Sequence, residues 1–390
     1  MQIKRVEVYQ VKWQALQKYW HPVVVRIITN SGLSGWGEAG VAYGHGEAAT
    51  THAIVDLGKM LINEDPSQIE YHWQRLYQHT FWGKSGGAIL YAAISALDTA
   101  LWDLKGKALG VPVYELLGGK SHERLRAYAS QLQYGWEDCS RLVKTPVEFK
   151  EVAKKAYDQG YRAFKVDPLQ FEEQARFIPN RYLLTQPQLQ ATYDRLTAIR
   201  EAIGPECELI LESHSKLEPN SARQLGQMVA PLNIYYYEEP FSPLEVGEFK
   251  PLAEQLPFPL ATGERLTTRW QYKPLLENHS IGVIQPDVGV CGGISEAVKI
   301  ANLASTYGVG VQFHTCGGPI ATAATLQVEA AISNFLIHEE HEINLKPDNY
   351  GSGKYHYQPV DGYYQVPNRP GIGQELSEKA MESAKILVVE

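Results

Sequence analysis

The sequence predicts an α/β chain, a (β/α)7-8-type TIM barrel with an N-terminal α+β capping domain. Three observations lead there. Its 390 residues exceed the roughly 250 of a bare barrel by enough for an appended unit. After about Arg124, eight short apolar runs alternate with mostly helix-length stretches, the texture of parallel βα units. Ionisable residues also recur at the ends of those runs, 23–27 residues apart, one unit at a time.

The elements follow in order. Met1 to Tyr9 alternates apolar and polar residues as a strand does, and lacks the apolar stretch of a signal peptide. Pro22–Ile28 reads as a buried strand, with Asn30-Ser31-Gly32 turning the chain into Ser34–Glu38. From Ala88 to Leu109, Leu90, Ile94, Leu97, Leu101 and Leu104 form a helical stripe that Gly110-Val111-Pro112 stops. Two stretches of this first part, Gln14–His21 and Gly40–Gly46, are expected to be mobile. The barrel strands are expected at Leu125–Ser130, Arg162–Val166, Leu209–Glu212, Ile234–Glu238, Leu260–Gly263, Gly282–Gln285, Gly310–Phe313 and Asn334–His338. The domains are accordingly 1–122, completed by about 366–390, and 123–365. An open doubly wound sheet would carry a glycine-rich phosphate turn after its first strand, and Ala129-Ser130-Gln131-Leu132 is not one.

Composition narrows the function. The 4 cysteines, Cys139, Cys207, Cys291 and Cys316, are scattered and suggest neither a disulfide framework nor a zinc ribbon. A net charge of −8 without a basic block argues against nucleic acid. No apolar run is long enough for a membrane span. The expectation is a soluble cytoplasmic protein.

The strand ends carry, in order, Glu212, Glu238, Glu264, Asp287, His314 and Glu339. Each falls on the barrel rim where active sites form. Neighbouring carboxylates raise one another's pKa unless a cation compensates them, and an all-oxygen, half-open site favours Mg²⁺. An Asp one unit before a His can fix the ring's tautomer and raise its basicity. A metal with a His–Asp pair is equipment for removing a proton α to a carboxylate.

The motifs that carry a resemblance are Trp102–Gly110 with Leu116–Lys120, Glu238-Glu239-Pro240, Gly263-Glu264-Arg265-Leu266, Gln285-Pro286-Asp287 with Gly292-Gly293-Ile294, and His314 followed by Gly318-Pro319-Ile320-Ala321. Through them the chain resembles the enolase superfamily, mandelate racemase subgroup, and most of all its galactonate dehydratase-type acid-sugar dehydratases. The resemblance implies metal ligands at Glu212, Glu238 and Glu264 for Mg²⁺, and His314 as general base with Asp287 as its partner. It implies Glu339 as the acid that binds a substrate carboxylate oxygen, and His214 as the group that protonates a departing hydroxyl. Lys165 is left as either a substrate contact or a salt-bridge partner. Arg265 is expected to pair with inward acids.

The implied reaction is Mg²⁺-dependent dehydration of a small-molecule sugar acid to a 2-keto-3-deoxy acid, by an even-numbered homo-oligomer. Two departures stand out. Glu212 occupies a position where the family pattern has Asp. Lys165-Val166-Asp167 lacks the second lysine of the racemases' Lys-x-Lys. The alternatives are a racemase, epimerase or cycloisomerase of the same superfamily, or a catalytically silent barrel. Lys165 to Glu212 is also about 20 residues longer than the other units, and the excess around Pro168–Gln188 is expected to form part of a lid or an oligomer contact.

Overall fold

The computed structural model describes residues 1–12, 20–137, 141–169 and 182–390. Residues 170–181 of the expected lid segment, most of Gln14–His21 and Cys139 therefore lie outside the described residues. An N-terminal antiparallel sheet is built from β1 (Ile3–Gln10), β2 (Val23–Thr29) and β3 (Ser34–Ala39), in the order β13-β1-β2-β3 once β13 (Lys385–Val389) returns from the far end of the chain. Three helices follow, α1 (Glu47–Gly58), α2 (Ile69–His79) and α3 (Ala88–Leu109). The stripe on α3 is buried against the sheet, and Gly110 ends the helix in the left-handed conformation at φ 71°, where a Cβ is disfavoured. Sheet and helix meet closely because β3 is glycine-rich: a Cβ on Gly37 would lie 2.0 Å from the Ala96 carbonyl oxygen on α3.

The short helix α4 (Val113–Leu116) leads into the barrel. Its strands are β4 (Arg124–Ser130), β5 (Ala163–Val166), β6 (Glu208–Glu212), β7 (Ile234–Glu238), β8 (Leu260–Thr262), β9 (Val283–Ile284), β10 (Gly310–Val311) and β11 (His338–His341). They pair in parallel in the order β10-β9-β8-β7-β6-β5-β4-β11. A parallel bridge from Val311 to Phe335, just ahead of β11, closes the ring. β12 (Tyr363–Gln365) adds an antiparallel edge to β4. The last strands are shorter than the apolar runs predict, and the eighth is shifted: its ladder with β4 falls at His338–His341 rather than Asn334–His338. Rim glutamates belong to the ladder itself there, so apolar content alone misplaces it.

Connecting helices begin where local chemistry favours them. α5 (Pro146–Asp158) and α6 (Gln186–Ile203) each start with a capping box, Thr145 with Glu148 and Thr185 with Gln188, and a proline in the first turn. α7 (Pro219–Val229), α8 (Val246–Ala253), α9 (Thr268–Glu277), α10 (Gly293–Thr306) and α11 (Pro319–Ala331) complete the outer layer, and α12 (Pro347–Tyr350) and α13 (Glu378–Ser383) precede β13. Tyr128, Ala163, Ile210, Tyr236, Ala261 and Val283 fill the barrel's interior, and the residues alternating with them pack against the helices. No helix among the described residues is long and apolar enough to cross a membrane.

The N-terminal unit is docked onto the barrel rim. Glu38, at the end of β3, accepts the backbone N–H groups of Gly318 (2.6 Å) and Ala321 (3.0 Å) at the start of α11, a favourable place for a carboxylate. Gly40 donates its N–H to the Gly289 carbonyl at 2.8 Å. The Gly40–Gly46 loop, expected to be mobile, is thus anchored at its first residue, and Trp20 forms a bridge with Tyr43 within it.

Candidate active site

The C-terminal ends of β6, β7 and β8 bring Glu212, Glu238 and Glu264 together, with one carboxylate oxygen of each within 4.8 Å of the others. Burial is the dominant influence on two of them. It raises Glu212 well above the usual carboxylate range, aided by Glu238. It brings Glu238 up to about 7, against the attraction of Lys165. Burial also acts against Glu264, but Arg265, His314, His214 and Lys165 bring that group down to about 2. Glu212 Oε1 and Glu238 Oε2 are sealed from solvent and have no hydrogen-bond partner among the described residues. Buried carboxylate oxygens left unpaired are costly. Three all-oxygen donors with two such orphans fit a hard divalent cation.

Lys165, at the inward end of β5, is fully buried beneath this cluster. Its ammonium lies 2.5 Å from Glu238, 2.8 Å from Glu339 and 3.3 Å from Glu212, so it pairs with three buried acids. Burial opposes its charge, but the three glutamates raise its pKa well above the ordinary lysine value. Glu339, on β11, also accepts the Ser130 hydroxyl (2.6 Å) and the Thr315 N–H (2.9 Å). Despite burial, Lys165 and His314 hold it well below the usual range.

His314 follows β10, and its Nδ1 is 2.7 Å from Asp287 Oδ2. Asp287 is itself fixed by the Gly289 N–H at 2.6 Å. The far nitrogen, Nε2, lies 3.6 Å from Glu264. Burial disfavours the imidazolium, yet Glu264 and then Asp287 raise the ring well above its usual value.

His214 forms a second pair of the same design. Its Nδ1 is 2.7 Å from Asp167 Oδ2, and its Nε2 is 3.2 Å from Glu212. The strand does not continue to His214, as same-face alternation would require: β6 ends at Glu212, and His214 and Ser215 adopt left-handed φ of 46° and 55°. The turn rather than the pleat aims the ring. Gln131, in a left-handed turn after β4, donates from Nε2 to Glu212 (2.9 Å) and faces His214 Nε2 at 3.3 Å. This leaves the His214 proton on Nδ1, toward Asp167. Burial lowers the His214 pKa in spite of Asp167. Burial likewise raises Asp167, but Lys216, which pairs with the same Oδ2, and His214 bring it down to about 2.

Of the adjacent pair on β7, Glu238 faces inward as expected, and Glu239 turns away at φ 44°. Glu239 binds Ser215, Thr262 and Arg265. Arg265 also pairs with Glu264 at 2.9 Å, so the expected pairing of Arg265 with acids is present. Sequence reasoning missed Asp167, Lys216, Gln131 and His341. Asp167 was within reach, because it lies two residues beyond Lys165, immediately past the end of β5, but the motif was read for a missing lysine. Gln131 gave no signal, since only the left-handed turn brings it inward.

A parallel barrel whose rim gathers three glutamates between two His–Asp pairs, under a docked α+β unit, defines a barrel enzyme with an acid cluster of a kind that fits a cation. Residues 148–380 match the family described as Enolase C-terminal domain-like, and residues 9–118 the Mandelate racemase / muconate lactonizing enzyme N-terminal domain. The chain belongs to the enolase superfamily, in its mandelate racemase / muconate lactonizing enzyme group. It is 33% identical to a D-galactonate dehydratase of Variovorax paradoxus over 98% of this chain and 94% of that protein. It is also 33% identical to a D-galactonate dehydratase of Pectobacterium atrosepticum, covering 97% of this chain and 93% of that one. A crystal structure of an enolase-superfamily member from Salmonella Typhimurium superposes with a TM-score of 0.97 at 44% identity, covering 100% of both chains.

Proposed function

We propose that this chain is a Mg²⁺-dependent sugar-acid dehydratase, a hydro-lyase that converts an aldonate or similar acid into a 2-keto-3-deoxy acid. The observation that carries the reading is the pair of imidazoles, His314 and His214, each held at Nδ1 by a carboxylate with Nε2 turned toward the glutamate cluster. The curated D-galactonate dehydratases that resemble the chain over nearly its whole length support the substrate class. Residues 1–122 with about 366–390 serve as the cap over 123–365.

Glu212, Glu238 and Glu264 would hold Mg²⁺, which when bound supplies positive charge to a substrate carboxylate and its enediolate. His314 Nε2 takes the C2 proton, and Asp287 stabilises the resulting imidazolium. Glu339, kept in place by Ser130 and Thr315, binds the substrate carboxylate oxygen on which charge develops by donating a hydrogen bond once it has taken up a proton, because its ionised form can only accept. Lys165 offsets the acids around it and offers a substrate contact. His214, after Nε2 has taken up a proton from solvent to give the imidazolium that Asp167 stabilises, delivers that proton to the C3 hydroxyl, which leaves as water. The enol that remains takes a proton at C3 and becomes the keto acid, so the net change is loss of one water.

One observation favours a second reading. His214 is neutral with its Nε2 lone pair toward the cluster, the state of a base, and two bases on opposite sides would serve an epimerase. Proton NMR in D₂O with a panel of aldonates, with and without Mg²⁺, separates the two. The dehydratase reading expects keto-deoxy product only with Mg²⁺, abolished in His314→Asn together with C2 exchange, and abolished in His214→Asn with exchange retained. A C2 epimer without keto-deoxy product would establish the epimerase instead.

A further inference from the structure

His341 has no part in the mechanism above. It lies on β11 two residues after Glu339, so strand alternation turns both side chains to the same inner face. It sits in register with Ser130, the residue whose hydroxyl holds Glu339. Its Nδ1 accepts the backbone N–H of Ile343 at 3.1 Å. This contact fixes the tautomer. With the Nδ1 lone pair committed, the proton of a neutral ring must be on Nε2. Rotating the ring by half a turn would put a carbon-bound hydrogen against the Ile343 N–H and leave that buried donor unpaired.

The residue is 8% exposed. Among the described residues its Nε2 has no hydrogen-bond partner, and it is not one of the unpartnered polar atoms sealed from solvent. The charges acting on the ring belong to Glu339, His314, Lys165 and His214, which places it among the rim groups. Burial, the largest influence, pushes its pKa down to about 3.

We propose that His341 is a substrate-binding residue, a neutral imidazole of fixed tautomer whose Nε2–H donates to a hydroxyl or carboxylate oxygen of the bound hydroxy acid. The proposal rests on the hydroxy-acid reading of the site. A ring in this state is poorly suited to proton transfer: Nε2 already carries a proton, and giving it up would leave an imidazolate. Its contribution is to hold and orient the substrate.

Two variants separate this role from that of a cap for the turn at Glu342–Leu345. His341→Asn keeps an acceptor near the place of Nδ1 and removes the distal donor. His341→Gln carries an amide donor out to the place of Nε2. On the best aldonate of the panel, His341→Asn is expected to raise KM at least tenfold with kcat changed less than threefold, and His341→Gln to recover part of the loss. Equal KM in His341→Asn and the parent would overturn the proposal and leave only the cap. The second readout needs no turnover. Nitrogen-15 histidine NMR of the parent, with His341 assigned by its loss in His341→Asn, should show an Nε2–H tautomer that does not titrate between pH 6 and 8. The Nε2 proton should shift on saturation with D-galactonate or D-gluconate. An Nδ1–H tautomer, or no shift with either acid, would overturn the proposal. A parent with no turnover on any aldonate defeats the dehydratase reading, and the NMR result still decides the case of His341.

Discussion

Replacing Asp167 by Asn tests the second His–Asp pair. Asp167 Oδ1 accepts the Leu169 N–H at 3.0 Å, and Oδ2 faces both His214 Nδ1 and the Lys216 ammonium. An asparagine must keep its oxygen toward Leu169, so its NH₂ replaces Oδ2. That group donates and cannot accept, so Nδ1 of His214 has to surrender its proton and the tautomer reverses. With Nδ1 serving as an acceptor, release of a proton from Nε2 would leave an imidazolate, and delivery to the leaving hydroxyl fails. The amide also faces the Lys216 charge, which weakens the hold on the ring. Reversing the tautomer of a catalytic histidine costs on the order of 10⁴ in kcat in the well-studied serine protease case. Loss of a positioned acid costs about 10²–10⁴. Dehydration should therefore fall by about 10²–10⁴. Exchange at C2 should survive, because the His314–Asp287 pair sits across the glutamate cluster and shares no ligand with Asp167. The assay is proton NMR in D₂O, following C2 deuteration and keto-deoxy product in one sample. Dehydration within threefold of the parent, in a folded variant that still binds metal, would refute the reasoning.

Lys165→Met removes the buried counter-charge shared by Glu212, Glu238 and Glu339. Breaking a buried pair typically costs about 3–5 kcal/mol, so thermal unfolding should shift down by many degrees, and an unchanged Tm would refute the counter-charge role. Stability of the metal-free protein should fall as pH rises from about 5 to 8. Burial raises Glu38, Asp98, Glu238 and Glu340 to about 7. Between the unfolded values, 3.8 for the aspartate and 4.5 for the glutamates, and about 7 the folded state binds more protons, so raising the pH favours unfolding; a Tm that climbs over this range would contradict it. Gly40→Ala should lower kcat without loss of metal binding, because its Cβ would lie 2.9 Å from Asp287 Oδ1 and 2.7 Å from Val290 Cγ2. Activity equal to the parent would show that the loop yields without moving Asp287.

The barrel was legible because each βα unit repeats one chemical sentence, an apolar run ending in an ionisable group, and six repeats survive local noise. Helix α3 was legible to the residue, since its stripe and its terminal Gly110 agree. The triad and the His314–Asp287 pair come together as strand spacing implies. The remainder depends on backbone the spacing does not encode. His214, Glu239 and Gln131 are aimed by left-handed residues just past strand ends, and nothing in their identities announces φ above zero. Lys165 could be placed inside, but how many acids it serves follows from the curvature of the barrel, which brings β5, β7 and β11 to one point. The two-residue spacing Glu339–His341 carried usable information, because alternation along β11 puts both side chains on one face.

The most direct test of the central claim is an isothermal titration of Mg²⁺ into the metal-free protein at pH 7, repeated in two buffers of different ionisation enthalpy. Because burial shifts Glu212 and Glu238 toward the protonated form and a cation favours the ionised one, the account predicts one Mg²⁺ per chain with proton release, and sharply weakened uptake in Glu238→Gln. No stoichiometric uptake at millimolar Mg²⁺, or uptake unaltered by that substitution, would contradict it.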